Sequence, residues 1–131
     1  MAERYPEQYR QFFHKFHAGQ YYECHDLLEE IWLEDRSDKF LQGLLQLAVG
    51  LYHYECGNVK GARWMFGNAR KYLTRYLPVH GNLELAPVIA YIDDCLRRLP
   101  DAERIPYEEA KRHPLPRFTF VLLENEEDDR R

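Results

Sequence analysis

His25 and Glu29 stand one helical turn apart in the run GQYYECHDLLEEIW, residues 19–32. An imidazole and a carboxylate at i and i+4 project from one side of a helix, so both can reach a single divalent ion or share a proton. A second polar set lies in FLQGLLQLAVGLYHYEC, residues 40–56, where Gln42, Gln46 and His53 share one stripe of an otherwise apolar helix. A solvated stripe normally carries lysines and glutamates, whereas this one carries only uncharged groups that donate and accept hydrogen bonds. Gly43 and Gly50 lie beside it and are expected to leave room for another backbone or a ligand.

Unpaired buried amides and imidazoles cost about 1–3 kcal/mol each, so such a stripe needs partners. If the two helices pack antiparallel across the short turn EDRSD, residues 34–38, His25 and Glu29 face Gln42, Gln46 and His53, with Trp32 and Tyr21 as walls. Two outcomes follow. The six residues His25, Glu29, Trp32, Gln42, Gln46 and His53 form a ligand pocket, in which His25, Glu29 and His53 hold one divalent metal ion. Alternatively, the same groups satisfy one another as a hydrogen-bonded core that fixes helix register. The Glu-x-x-His pairs of di-metal carboxylate bundles are missing, which limits any metal to one ion.

The elements that must position these groups are helical. Breakers and caps divide the chain into about five helices: residues 6–18, ended by Gly19; 20–35; a third capped by Ser37-Asp38 and ended at Gly57-Asn58; 59–76; and 87–99, with Pro87 in its first turn. The spacing therefore predicts an all-α bundle over residues 1–100. Residues 101–131 read as a proline-rich, mostly extended arm with a short turn of helix near Glu108 and an acidic, solvated tail. Phe118, Phe120, Leu122 and Leu123 are too apolar to stay in water, so the arm is expected to pack on the bundle or on a second copy of the chain.

Gly19 laid over Gly57 brings out an internal echo of helix, glycine turn and helix. The second unit places Gly50, Ala62, Phe66 and Ala69 at the small and aromatic packing positions of a tetratricopeptide repeat, although Gln46 stands where that repeat usually has tryptophan. Two units are too few for a solenoid, so tetratricopeptide-like pairing inside a closed bundle is expected.

Composition bounds the functions. A chain of 131 residues with 45% hydrophobic content can bury a core of its own. A net charge of −4 disfavours nucleic acid, and the basic residues Lys60, Arg63, Arg70, Lys71 and Arg75 read as a solvated helix face. Cys24, Cys56 and Cys95 are odd in number and widely spaced, which suggests buried thiols in a reducing compartment. No apolar run reaches the roughly 18 residues of a membrane span, and a cytoplasmic location is expected. His14 and His17 are expected to edge the core, and His80 and His113 to lie in exposed loops.

The chain also resembles the small bacterial, archaeal and plastid proteins of domain-of-unknown-function family 309. That family's Phe-x-x-Gly-x-Tyr-x-Glu-x-His-x-x-Leu-Glu-x-x-Trp run falls on Phe16, Gly19, Tyr21, Glu23, His25, Leu28, Glu29 and Trp32. Its Gln-Gly-x-x-Gln-x-Ala run falls on Gln42, Gly43, Gln46 and Ala48, followed by His53. The resemblance implies an all-α bundle and a shared polar cluster, with no particular reaction, substrate or cofactor. Two functions remain open: a pocket protein for a small ligand or one divalent ion, and a helical module for protein partners or self-association.

Overall fold

A computed structural model describes residues 5–123, and the acidic tail lies outside them. The chain folds as an all-α bundle. In order come α1 (Glu7–His17), α2 (Tyr21–Trp32), α3 (Lys39–Glu55) and α4 (Val59–Leu73), followed by a single 3-10 turn (Thr74–Tyr76). Two-residue strands β1 (Val79–His80) and β2 (Leu83–Glu84) then form a small antiparallel hairpin, and α5 (Ala86–Arg98) and α6 (Tyr107–Arg112) complete the described chain.

The starts and stops have local causes. The Asp38 side chain accepts the Leu41 N–H at 3.0 Å and so caps α3, while Asn58 accepts the Gly61 N–H at 2.9 Å and caps α4. Gly19 and Gly57 close α1 and α3 in the left-handed region, with φ of +79° and +84°. The tight turn at Gly81 has flanks that pair as the β-hairpin.

One apolar core runs through every α-helix. It takes Phe12, Phe13 and Phe16 from α1, Leu28 from α2, Leu44 and Leu47 from α3, Phe66 and Leu73 from α4, Ile92 from α5 and Ala110 from α6. Among the described residues no polar or charged residue is fully buried. Polar chemistry is therefore confined to half-exposed seams between helices.

The α3–α4 pair packs closely through two glycines. A Cβ on Gly50 would lie 2.7 Å from the Phe66 ring, and one on Gly43 would lie 2.7 Å from Leu73 Cγ. The space these glycines were expected to leave for a ligand is thus taken by α4. Ala62 and Ala69, fully buried on α4, continue the same close approach. On the basic outer side, Arg70 pairs with Asp93 at 2.6 Å and Arg63 donates to the Pro100 carbonyl at 2.9 Å, so part of that face clips α4 to α5 and to the chain beyond it.

The arm folds back onto the bundle of its own chain. Phe120 is 4% exposed and sits among Phe12, Phe13 and Phe16, while Leu122 bridges to Leu83 of the hairpin. Leu122 and Leu123, expected to be covered, stay 38% and 41% exposed. Cys24 and Cys95 are buried as expected, and burial pushes their thiols up to about 12 and about 11. Cys56 departs from the expectation: it follows the last turn of α3, where the chain leaves the core, and is exposed.

His17 fastens the arm. Its Nε2 accepts the Phe120 N–H at 3.0 Å, and its backbone carbonyl accepts Arg117 Nη2 at 2.7 Å. An imidazole that accepts at Nε2 must be neutral there. Burial, with His14 and Arg117 adding to it, lowers the His17 pKa below its ordinary 6.5. As pH falls below about 6.5, the unfolded chain takes up this proton before the folded one, so folding stability drops through the lowered folded value. Thermal melts should fall between pH 7.5 and pH 5.5, and the fall should be smaller for His17→Gln, whose amide oxygen can still accept from Phe120. His53, shifted down by burial as well, will keep the remaining share. An identical pH response in both proteins would remove His17 from the linkage.

Candidate functional site

On α2, His25, Glu29 and Trp32 follow one another at i, i+4 and i+7, and on α3 Gln42, Gln46 and His53 mark the polar stripe. The two helices pack against each other across the 33–38 turn. All six side chains are half-buried, neither sealed in the core nor free in water. His25 does not enter the core: α2 turns Cys24, Leu28 and Ile31 inward, and the 100° step per residue leaves His25 at the rim.

At that rim the structure brings together a set that differs from the expected one. His25 Nδ1 lies 3.4 Å from Asp26 Oδ1, and His25 Nε2 lies 3.8 Å from Glu29 Oε1. One ligand atom from each of His25, Asp26 and Glu29 can be chosen so that all lie within 4.8 Å of one another, the only such group of three among the described residues. Asp26 is 62% exposed at its side chain. Adjacency to His25 was the signal that could have found it. The Tyr22 ring stacks beside His25 with centroids 6.4 Å apart.

His53 is not part of this group. Its Nδ1 lies 3.3 Å from Asn58 Nδ2, an amide nitrogen that can only donate, so Nδ1 is the acceptor and is already engaged. The Asn58 orientation is fixed in turn by its cap on α4. Burial lowers the His53 pKa, which favours this neutral form. His53 thus ties the end of α3 to the start of α4, and the trio His25, Glu29 and His53 does not converge.

The glutamines divide. Gln42 Oε1 accepts Lys39 Nζ at 3.1 Å, whereas Gln46 Oε1 is buried with no hydrogen-bond partner among the described residues. Trp32 Nε1 is buried without one as well, while Arg36 lies over the Trp32 ring at 5.8 Å. Among the described residues no hydrogen bond joins His25 or Glu29 to Gln42, Gln46 or His53, so the self-satisfied network is not formed. Of the other histidines, His80 corrects the loop expectation: it packs against Phe40 with centroids 4.5 Å apart and faces the Tyr5 hydroxyl at 3.3 Å, because the hairpin folds it inward. His113 remains exposed.

The donor set suits one borderline ion such as zinc, manganese or iron(II), since it combines one imidazole with carboxylates. Two ligands each bound at about 2.0–2.2 Å subtend roughly 3 Å, so small torsions of His25 and Glu29 would close the present 3.8 Å. Only one ring nitrogen can bind a given ion. With Nε2 directed to it, Nδ1–H faces Asp26, the arrangement in which a carboxylate orients a ligating histidine.

Residues 9–65 match the family described as Domain of unknown function (DUF309), so both polar helices lie within the matched segment. The uncharacterized protein YpuF of Bacillus subtilis is 40% identical over 73 residues, which cover 53% of this chain and 42% of YpuF. The chain therefore spans less than half the length of that relative. No solved structure matches.

Proposed function

With residues 9–65 taken as a DUF309 segment, we propose that this protein binds one divalent cation at the rim of α2, through His25 Nε2 and the Glu29 carboxylate, with Asp26 holding the imidazole. The observation that carries this is the convergence of the three side chains within 4.8 Å on a surface that water and substrate can reach. Two protein ligands leave several coordination positions to solvent, which suits a cation that polarises a bound molecule or bridges to it.

Calorimetric titration of the full chain with zinc or manganese should show one site. His25→Ala and Glu29→Gln should each weaken it at least tenfold, and Asp26→Asn about tenfold, in line with the effect of an orienting carboxylate. Because all three side chains are partly exposed, the metal-free variants should melt within about 0.5 kcal/mol of the parent. Absence of saturable binding, or equal binding by His25→Ala, would discard the cation. The tight α3–α4 packing and Trp64, 68% exposed on α4, would then favour the helical interaction module.

A further inference from the structure

A concavity lies away from His25 and Glu29, where the end of α3 meets α6, the arm and the first residue of α2. It is a cleft of about 530 Å³, within the range of small-molecule sites. None of His25, Asp26 and Glu29 lines it. Its body is apolar and aromatic: Tyr21, Leu51 and Leu115 form the inner wall, and Tyr107 stands at the mouth, 57% exposed. Two cations, Lys111 and Arg117, also line it.

Neither cation is held in an ion pair by the described residues. Arg117 spends one donor, Nη2, on the His17 carbonyl and keeps the rest of its fork available. Arg117 rests against the α1–α2 turn at Gly19, where a Cβ would lie 3.2 Å from the guanidinium and would push it back by a few tenths of an ångström. Lys111 is held over the Tyr107 ring at 5.9 Å.

Glu55 lines the same cleft, and burial pushes its carboxyl up, with Arg117 acting against that shift. Tyr21, 5% exposed, has its hydroxyl pushed up to about 12, chiefly by burial, and stays a neutral donor.

We propose that this cleft binds a small amphipathic anion, whose aromatic or aliphatic body lies against Tyr21, Leu51 and Leu115 and whose carboxylate or phosphate pairs with Arg117 and Lys111. A bidentate fork favours a planar or tetrahedral oxyanion over a point charge. The apolar wall supplies affinity that a bare inorganic anion cannot use. The arm carries Arg117, Leu115 and, through α6, Lys111, so the site exists only while Phe120 and His17 keep the arm on the bundle.

The test uses the full chain and two dyes that share a fused-ring body: 8-anilinonaphthalene-1-sulfonate, which is anionic, and N-phenyl-1-naphthylamine, which is uncharged. The anionic dye should bind saturably at one site per chain. Arg117→Gln should weaken it at least tenfold while leaving the neutral dye within twofold, and Tyr107→Ala should weaken both. Phenyl phosphate and 3-phenylpropionate should displace the anionic dye, their ratio telling phosphate from carboxylate preference, and inorganic phosphate should not. Should Arg117→Gln loosen the arm, as its melt would reveal, Lys111→Gln is the second variant, with at least a threefold loss expected for the anionic dye alone. Equal loss of both dyes in folded Lys111→Gln, or displacement by inorganic phosphate as effective as by phenyl phosphate, overturns the proposal.

Discussion

Phe120→Ala will cost about 3–5 kcal/mol of folding stability, the usual range for removing a buried phenylalanine ring. The ring lies 4.6 Å from Phe16, 4.9 Å from Phe13 and 5.0 Å from Phe118, edge-on to each, so truncation deletes several aromatic contacts and leaves a hole between α1 and the arm. Urea unfolding followed by far-ultraviolet circular dichroism will read the loss as a lower midpoint with little change in slope. Leu123→Ala is the control. At 41% exposure that side chain should cost no more than about 0.5 kcal/mol. A loss below 1 kcal/mol for Phe120→Ala would mean that the arm is not anchored by this ring, and the cleft that depends on the arm would lose its support as well.

The second large effect is expected at Gly57→Ala. Gly57 closes α3 at φ +84°, a conformation that costs a side-chain-bearing residue about 1–2 kcal/mol. Its carbonyl accepts the Ile105 N–H at 2.9 Å, which brings the loop before α6 hard against the glycine. A Cβ would overlap the Ile105 carbonyl oxygen, a backbone atom that cannot rotate aside, and such overpacking adds about 1–3 kcal/mol. Gly67→Ala should do the opposite. Gly67 lies inside α4 with nothing within 4 Å of a Cβ, so alanine should stabilise the helix by about 0.5–1 kcal/mol. The pair isolates conformation and crowding from helix propensity, and thermal melts of the two variants should move in opposite directions.

These two positions bear on the candidate sites unequally. Gly57 supports α6 through Ile105, and hence the cleft side that holds Lys111, while the α2 rim proposed to bind a cation lies outside that contact. Gly57→Ala should therefore reduce dye binding through lost folding or a displaced α6. In protein that remains folded, cation binding at His25 should persist.

The helices were legible in the sequence because their causes are short-range. Asp38 and Asn58 cap the residues that follow them, Gly19 and Gly57 supply the left-handed turns, and Pro87 starts α5, all within a few residues of the backbone groups they serve. The apolar arcs of α2 and α3, and the need of Phe120 for a covered place, followed from periodicity and hydrophobicity alone. The rim pair His25 and Glu29 was legible for the same reason, since i and i+4 on a helix are neighbours whatever the rest of the chain does.

What surrounds those residues was decided by tertiary structure. Whether Gly50 leaves a gap or receives a ring depends on Phe66, 16 positions away on α4, and the ring fills it. His53 could have faced α2, but the turn after α3 brings Asn58 to its Nδ1 first. The cleft joins Tyr21 to Arg117 and Lys111, residues about 90 positions apart, and their approach requires the arm to return across α1. Local chemistry thus determined the elements and the spacing within each, whereas long-range packing, which a linear pattern does not encode, selected which polar groups share a site.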